Sequence, residues 1–175
     1  MKTVYLLRHA KSDWAHPEMQ DHDRPLNARG REAAPQMGAY IKAERYKPDL
    51  VLCSTARRTV ETFDLVSKAL GGAVDVKFEE ALYLAEPRQL LERLHWVDEG
   101  VKSVMLIGHN PGMEQLAQTL CAPPADAGEE KLHRRMREKY PTCALAVIRM
   151  PVMSWRGVKL GTGRLKDFAR PKDLS

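Results

Sequence analysis

The sequence alternates between short apolar runs and segments whose apolar residues have helical spacing, and this alternation constrains the fold more than any other feature. Continuous apolar runs are typical of strands that are buried on both faces of a parallel sheet. The runs cover residues 2–7, 49–53, 74–78, 103–107 and 144–150. Helical segments follow each of the first four runs. The pattern predicts an α/β fold with a mostly parallel central sheet and helices on both faces.

Residues at the ends of the predicted helices support this division. Asn27 and Thr55 are predicted N-caps, and Pro87 suits the first turn of a third helix. Gly71 is expected to end the second helix, and a further helix is expected to start at Asn110-Pro111.

The C-terminal part departs from the alternation. Residues 155–159 are expected to pair beside 144–150 as an antiparallel edge hairpin near the C-terminus. Residues 131–139 are predicted to form a short basic helix, which has a solvated face or guides an acidic protein or nucleotide substrate. Because neither an internal repeat nor a linker is visible, one domain spanning 1–175 is predicted.

Composition and charge exclude several classes of protein. The longest apolar run falls well short of the roughly 20 residues that cross a bilayer, and the N-terminus lacks a signal-peptide pattern. The net charge of +5 is too small to indicate nucleic-acid binding by itself. We therefore expect neither a membrane nor a nucleic-acid partner. Cys53, Cys121 and Cys143 form no CxxC pair, which favours a reducing, cytoplasmic location.

Polar and charged side chains follow three of the predicted strands at the point where each strand ends. They are Arg8, His9, Ser54, Arg57, Arg58, His109 and Asn110. Ligands of open parallel sheets bind outside the carboxyl ends of the strands, so these side chains are expected to meet at one rim. Clustered cations repel one another unless an anion neutralises them, and arginine matches the geometry of phosphate oxygens. The rim is therefore predicted to bind a dianionic phosphoryl group, with an imidazole available for chemistry.

Three motifs in this order resemble the signature of the histidine phosphatase superfamily, which includes the cofactor-dependent phosphoglycerate mutases. Arg8-His9-Ala10 is similar to its Arg-His-Gly motif. The segment 54–62 is similar to its Ser-x-x-x-Arg-(Ala/Thr)-x-x-Thr motif, and 108–112 to the segment of its second histidine. The stretches RHAKSDW and DRPLN (23–27) most resemble the SixA-type phosphohistidine phosphatases. The resemblance implies a phosphoglycerate mutase-like three-layer sandwich.

The resemblance also implies roles for individual residues. His9 matches the nucleophile that accepts the phosphoryl group, and Arg8 and Arg58 match the arginines that grip it. His109 matches the second histidine and is expected to be protonated beside the phosphoryl group. Arg58, four residues after the serine of the motif, is selected over Arg57.

Further site residues are expected with less specific roles. Ser54 and Asn110 are candidate substrate-binding residues. Many members of the superfamily carry a glutamate after the third strand as general acid, and the candidates here are Glu80 and Glu86, with Glu79 beside them. A phosphohistidine substrate suits a site without a strong acid, because imidazole is a good leaving group.

The implied activity is a metal-independent phosphohydrolase that works through a covalent phosphohistidine on His9 and needs no cofactor. The expected partner is a phosphorylated substrate such as a phosphohistidine-bearing signalling protein. A small-molecule phosphatase, a mutase and a non-catalytic phosphate-binding module remain alternatives. The histidines show no HxH or HExxH spacing that would predict a metal site. Cys53 does not fit the Cys-x₅-Arg pattern of cysteine phosphatases, because position 59 is Thr59.

Overall fold

Six strands form one sheet in the computed structural model, which describes residues 1–174. The strands are β1 (Lys2–Arg8), β2 (Leu50–Ser54), β3 (Val76–Glu79), β4 (Ser103–Gly108), β5 (Leu145–Met150) and β6 (Arg164–Ala169). Their order in the sheet is β3-β2-β4-β1-β5-β6. β1 to β4 are parallel, whereas β5 runs antiparallel to both of its neighbours. The predicted α/β class, with antiparallel pairing near the C-terminus, is confirmed.

Five helices cover the sheet, and alternate residues of the strands face two separate cores. The helices are α1 (Ala28–Ala43), α2 (Arg57–Leu70), α3 (Pro87–His95), α4 (Gly112–Leu120) and α5 (Ala127–Glu138). In β1, Val4 and Leu6 pack in the core that α3, α4 and α5 close, whereas Tyr5 and Leu7 pack in the core under α1 and α2. Because side chains along each strand alternate between the two faces of the sheet, both faces carry apolar residues and each is covered by a layer of helices. No helix within residues 1–174 is long and apolar enough to cross a membrane.

Most helix ends lie where the sequence predicts them. The Asn27 side chain accepts a hydrogen bond from the Gly30 amide at 3.0 Å and caps α1. Gly71, at a φ of 75°, ends α2 in the left-handed conformation that glycine adopts without strain. Pro87 begins α3, and α4 begins at Gly112, slightly after the predicted start.

The predicted N-cap at Thr55 is wrong. The N-cap of α2 is Ala56, which supplies no side-chain hydrogen bond. The Thr55 hydroxyl instead lies 2.9 Å from Nε2 of His22, a long-range partner that local spacing does not reveal. Ser54 Oγ accepts a hydrogen bond from the Ala56 amide at 3.3 Å and satisfies one of the free N–H groups at this end.

The predicted edge hairpin at 155–159 is also wrong, because β6 is the edge strand. Trp155 is fully buried in the core beneath α3 and α4, and its indole N–H donates to the carbonyl of Val101 at 2.7 Å. Burial of this large aromatic ring, whose polar atom keeps a hydrogen-bond partner, stabilises the protein more than pairing at the edge of the sheet would. The basic segment 131–139 lies mostly within α5, which begins earlier than predicted.

The sheet order brings the predicted site together. β4 lies between β1 and β2, with Arg8 opposite Gly108 and Cys53 opposite Ile107. Because the three strands are parallel, the residues that follow them leave the same edge of the sheet.

Candidate active site

A pocket of about 260 Å³ lies at the carboxyl ends of β1, β4 and β2. The residues that line it are Arg8, His9, Lys11, Ser12, Trp14, Arg24, Arg58, Leu84, His109, Asn110 and Thr142. The structure thus brings Arg8, His9, Arg58, His109 and Asn110 around one cavity. Four of the lining residues are arginine or lysine and none is aspartate or glutamate, so the charged groups that line the pocket are all positive.

His9 is buried, and its ring is held by a backbone contact. Nδ1 lies 2.6 Å from the carbonyl oxygen of Ala10. Since a carbonyl only accepts, the Nδ1 atom carries the proton and Nε2 keeps its lone pair in the neutral ring. Burial lowers the pKa of His9 to about 3, against the effect of the Ala10 contact and with the help of the Arg58 and Arg8 charges. His9 is therefore neutral at neutral pH.

His109 lies beside His9, with 5.4 Å between the ring centroids. Its Nε2 is 2.9 Å from Ser54 Oγ, and its buried Nδ1 has no hydrogen-bond partner within residues 1–174. Burial lowers the pKa of His109 to about 3, together with the repulsion that His9 would exert if both rings were protonated and with the charge of Arg58. The expectation of a protonated His109 is not supported by these surroundings, which are positive; a bound anion would be needed to favour that form.

Arg8 and Arg58 each use part of the guanidinium group in hydrogen bonds to the protein. Arg8 Nη1 donates to the carbonyl of Tyr140 at 2.9 Å, and the same carbonyl accepts from Asn110 Nδ2 at 3.1 Å. Arg58 is 2% exposed and donates from Nη1 and Nη2 to Asp21 at 2.7 and 2.9 Å. The Nε atoms of Arg8 and Arg58 are buried without a partner in the described chain. Each guanidinium therefore has one N–H group that no atom of the described chain satisfies.

Asp21, which the sequence did not indicate, contacts two arginines of the pocket wall. Its carboxylate accepts from Arg58, from Arg24 Nε at 3.1 Å and from the Tyr83 hydroxyl. Although burial acts in the opposite direction, the hydrogen bonds from Tyr83, Arg58 and Arg24 hold the pKa of Asp21 below its usual range. The DRPLN stretch contributed to the family resemblance, but nothing in its spacing indicates that Arg24 and Arg58 share one carboxylate.

Arg24 and Trp14 form a further part of the wall that the sequence did not predict. The Arg24 guanidinium stacks 3.5 Å from the Trp14 ring centroid and donates to Ser12 Oγ at 2.7 Å. Arg24 is buried, whereas Trp14 is 74% exposed at the mouth of the pocket.

Glu80 and Glu86, the candidate general acids, do not line the pocket. Both are exposed, and the Glu86 side chain forms part of a capping box at the start of α3. Glu79 forms an ion pair with Arg93 at 2.7 Å. From this stretch of chain the pocket receives Leu84 instead, at a φ of 51°. The geometry gives none of these glutamates a position from which to protonate a group in the pocket.

Arg57 and Cys53, the other residues considered from the sequence, do not line the pocket. Arg57 is exposed and pairs with Glu61 at 3.1 Å. Cys53 is fully buried, and burial raises its pKa well above the ordinary value, so its thiol is not a nucleophile. Within residues 1–174, no group of three or more His, Cys, Asp or Glu side chains is placed to hold a metal ion.

Comparison with known proteins agrees with this geometry. The family model described as histidine phosphatase superfamily (branch 1) matches residues 4–83. The uncharacterized protein Rv1276c of Mycobacterium tuberculosis is 34% identical over 167 residues, covering 95% of this chain and 100% of that protein. The crystal structure of a candidate phosphohistidine phosphatase SixA from Agrobacterium tumefaciens is 36% identical, with a TM-score of 0.79 and coverage of 97% and 98% of the two chains. The chain belongs to the histidine phosphatase superfamily.

A second solved structure, a candidate SixA from Nakamurella, is similar to this histidine phosphatase at 25% identity. Its TM-score is 0.81, and the match covers 97% of this chain and 96% of that one. The phosphatase has Ala10 where the family motif has glycine. Ala10 is buried and does not have a positive φ, and its amide donates to Thr62 Oγ1 at 3.0 Å. Alanine is therefore accommodated here without backbone strain.

Proposed function

We propose that this histidine phosphatase hydrolyses phosphohistidine on a protein substrate, through a covalent phosphoryl intermediate on His9. The observation that carries the proposal is a positive pocket with a neutral imidazole and no carboxylate in its wall. The two similar solved structures that are described as SixA candidates support the same substrate class.

The neutral His9 ring supplies the nucleophile. With Nδ1–H directed to the Ala10 carbonyl, the Nε2 lone pair attacks phosphorus while the bond from phosphorus to the leaving group breaks. The Ala10 carbonyl also stabilises the positive charge that develops on the ring. Water then attacks phosphorus, the Nε2–P bond breaks, and the protons of that water pass to phosphate and solvent. The hydrolysis is thereby divided into two displacements.

We assign three buried nitrogens to the oxygens of the phosphoryl group. The Nε atoms of Arg8 and Arg58 and Nδ1 of His109 have no hydrogen-bond partner in the described chain. Ser54 accepts from the Ala56 amide, so its own hydroxyl hydrogen is free to donate to His109 Nε2. That arrangement leaves the proton of neutral His109 on Nδ1, where it can donate to the phosphoryl group. Fixed donors of this kind stabilise the charge of the transition state.

Because no carboxylic acid lines the pocket, the site suits a leaving group that needs no general acid. An alkoxide needs a proton from a general acid, and Glu80 and Glu86 lie outside the pocket. Phosphohistidine takes a proton from solvent on the ring nitrogen that is not bonded to phosphorus, and neutral imidazole then leaves as the P–N bond breaks. Because the pKa of an imidazolium is about 6.5, this proton comes from water without a carboxylic acid in the pocket. The site therefore favours the P–N bond of phosphohistidine over the P–O bond of an alkyl phosphate.

The test compares phosphohistidine and phosphoserine in peptides of the same sequence. We expect kcat/KM for phosphohistidine to be at least about 100-fold higher, in line with the usual contribution of a general acid. His9→Ala should abolish turnover and also the base-stable phosphoryl label on the rapidly quenched enzyme. Equal turnover of the two peptides, or label on another residue in wild type, would overturn the proposal.

A further inference from the structure

A second cleft of about 330 Å³ adjoins the pocket. Lys11 and Thr142 line both cavities, so the cleft is a lateral extension of the site. Its other lining residues are Arg29, Ala33, Lys139, Pro141, Arg170, Pro171 and Lys172. This cleft, the basic groove, is lined by five cationic residues and no acidic one.

Most of the positive charge in the basic groove is not neutralised by the protein. Lys11, Arg29, Lys139 and Lys172 are exposed and form no ion pair within residues 1–174. Arg170 is the exception, since Nε pairs with Asp173 at 3.0 Å. Four unpaired cations around one cleft repel one another, and an acidic ligand would relieve that repulsion.

The walls of the basic groove are fixed relative to the catalytic strand. The Asn27 amide donates to the carbonyl of Lys11 at 3.0 Å, which fixes the start of α1 and thereby Arg29. On the opposite side, the Cys143 amide donates to the carbonyl of His9 at 2.9 Å and holds the turn at 141–143. The backbone that carries Lys11, Arg29 and the turn at 141–143 is therefore held beside the phosphoryl pocket.

We propose that the basic groove binds an acidic segment of the phosphorylated protein substrate, next to the phosphohistidine that enters the pocket. This inference rests on the proposed function and adds a sequence preference to it. The groove adjoins the phosphoryl pocket at Lys11 and Thr142 and is also lined by Pro141 and Pro171, so a peptide segment next to the phosphohistidine would bring carboxylate side chains to its cations. Attraction by exposed charges raises the association rate and is weakened by salt.

The test uses two phosphohistidine peptides that carry several glutamates, or the same number of glutamines, next to the modified residue. Lys139→Glu/Lys172→Glu reverses two groove charges outside the phosphoryl pocket. Lys77→Glu/Lys159→Glu, at two exposed lysines without ion pairs in the described chain, is the control with the same net charge. We expect wild type to prefer the acidic peptide about tenfold in kcat/KM, because several exposed ion pairs each contribute a modest amount.

The groove variant should lose this preference because its KM for the acidic peptide increases. The control variant should retain most of the preference. Hydrolysis of a small aryl phosphate should stay within about twofold in both variants, since that substrate does not reach the groove. Raising the salt concentration should reduce the preference of wild type. Equal kcat/KM for the two peptides in wild type, or equal losses in the groove variant and the control, would overturn the proposal.

A binding assay separates this proposal from the proposed function. Fluorescence anisotropy is measured with both peptides carrying a non-hydrolysable phosphonate analogue of phosphohistidine. Tighter binding of the acidic peptide, lost in the groove variant alone, supports the groove even if neither phosphopeptide is turned over. Equal binding of the two peptides, or displacement from the groove by ATP without any preference for glutamate, counts against an acidic peptide as the ligand.

Discussion

Two buried histidines, His9 and His109, should make the stability of the protein depend on pH. Burial lowers the pKa of each to about 3, whereas both return to about 6.5 in the unfolded chain. Between these values the unfolded state binds more protons, so the free energy of unfolding decreases as pH falls from 6.5 toward 3. We expect Tm to fall steadily from pH 6.5 to pH 4, measured by circular dichroism.

Substitution of one histidine at a time tests the origin of this effect. His109→Gln should make the fall in Tm shallower over the same pH range, because one titrating group is removed. His16→Gln is the matched control, since the His16 side chain is 57% exposed. An unchanged slope in His109→Gln would show that other groups dominate the acid sensitivity.

Asp21 should support activity without touching the substrate. Its carboxylate holds Arg58 and Arg24, and hydrogen bonds to charged groups contribute about 1.5–3 kcal/mol. We expect Asp21→Asn to lower kcat/KM for an aryl phosphate about tenfold or more, mainly through kcat. Asp21→Glu should restore part of the loss.

Asp23→Asn is the control for this prediction, because Asp23 lies in the same turn with a side chain that is 66% exposed. It should leave kcat/KM within about twofold of wild type. If Asp21→Asn and Asp23→Asn have the same kinetics, the shared carboxylate does not position the arginines.

The contact between α1 and α2 depends on Gly38. A Cβ at Gly38 would lie 2.6 Å from Ala69 Cβ and 2.8 Å from the carbonyl oxygen of Val66. Alanine in a helix would otherwise gain about 0.5–1 kcal/mol over glycine, but overpacking costs about 1–3 kcal/mol. We therefore expect Gly38→Ala to destabilise the protein, with a lower midpoint of urea unfolding. Gly72→Ala, which meets nothing within 4 Å, should not lower it.

Periodicity and strand order could be used to predict most of the fold, but not its long-range side-chain contacts. The apolar runs predict β1 to β5, and the residues after them predict the rim with His9 and His109. The edge strand β6 was missed, because the apolar Trp155 segment competes with it and only packing shows that this ring is buried. Asp21 was missed for a similar reason: its partners Arg58 and Tyr83 lie 37 and 62 positions away.

For the whole molecule, the two cores should unfold together. Both are built on alternate residues of the same strands, so neither can lose its sheet face while the other keeps it. We expect one cooperative transition in urea, as is usual for a single domain, which is also the predicted domain organisation. Tryptophan fluorescence, in which Trp155 is the buried contributor, and far-UV circular dichroism should give the same midpoint. Separate midpoints would indicate that the two faces unfold independently.

The position of β1 in the sheet also has a consequence for synthesis on the ribosome. β1 pairs with β4 and β5, which begin at Ser103 and Leu145, far along the chain. At about 5–20 residues per second, the strand that leads to His9 leaves the exit tunnel several seconds before either neighbour. A nascent chain therefore carries the imidazole long before the surrounding guanidinium groups are in place. We therefore expect phosphoryl transfer only after β5 has left the exit tunnel and paired with β1.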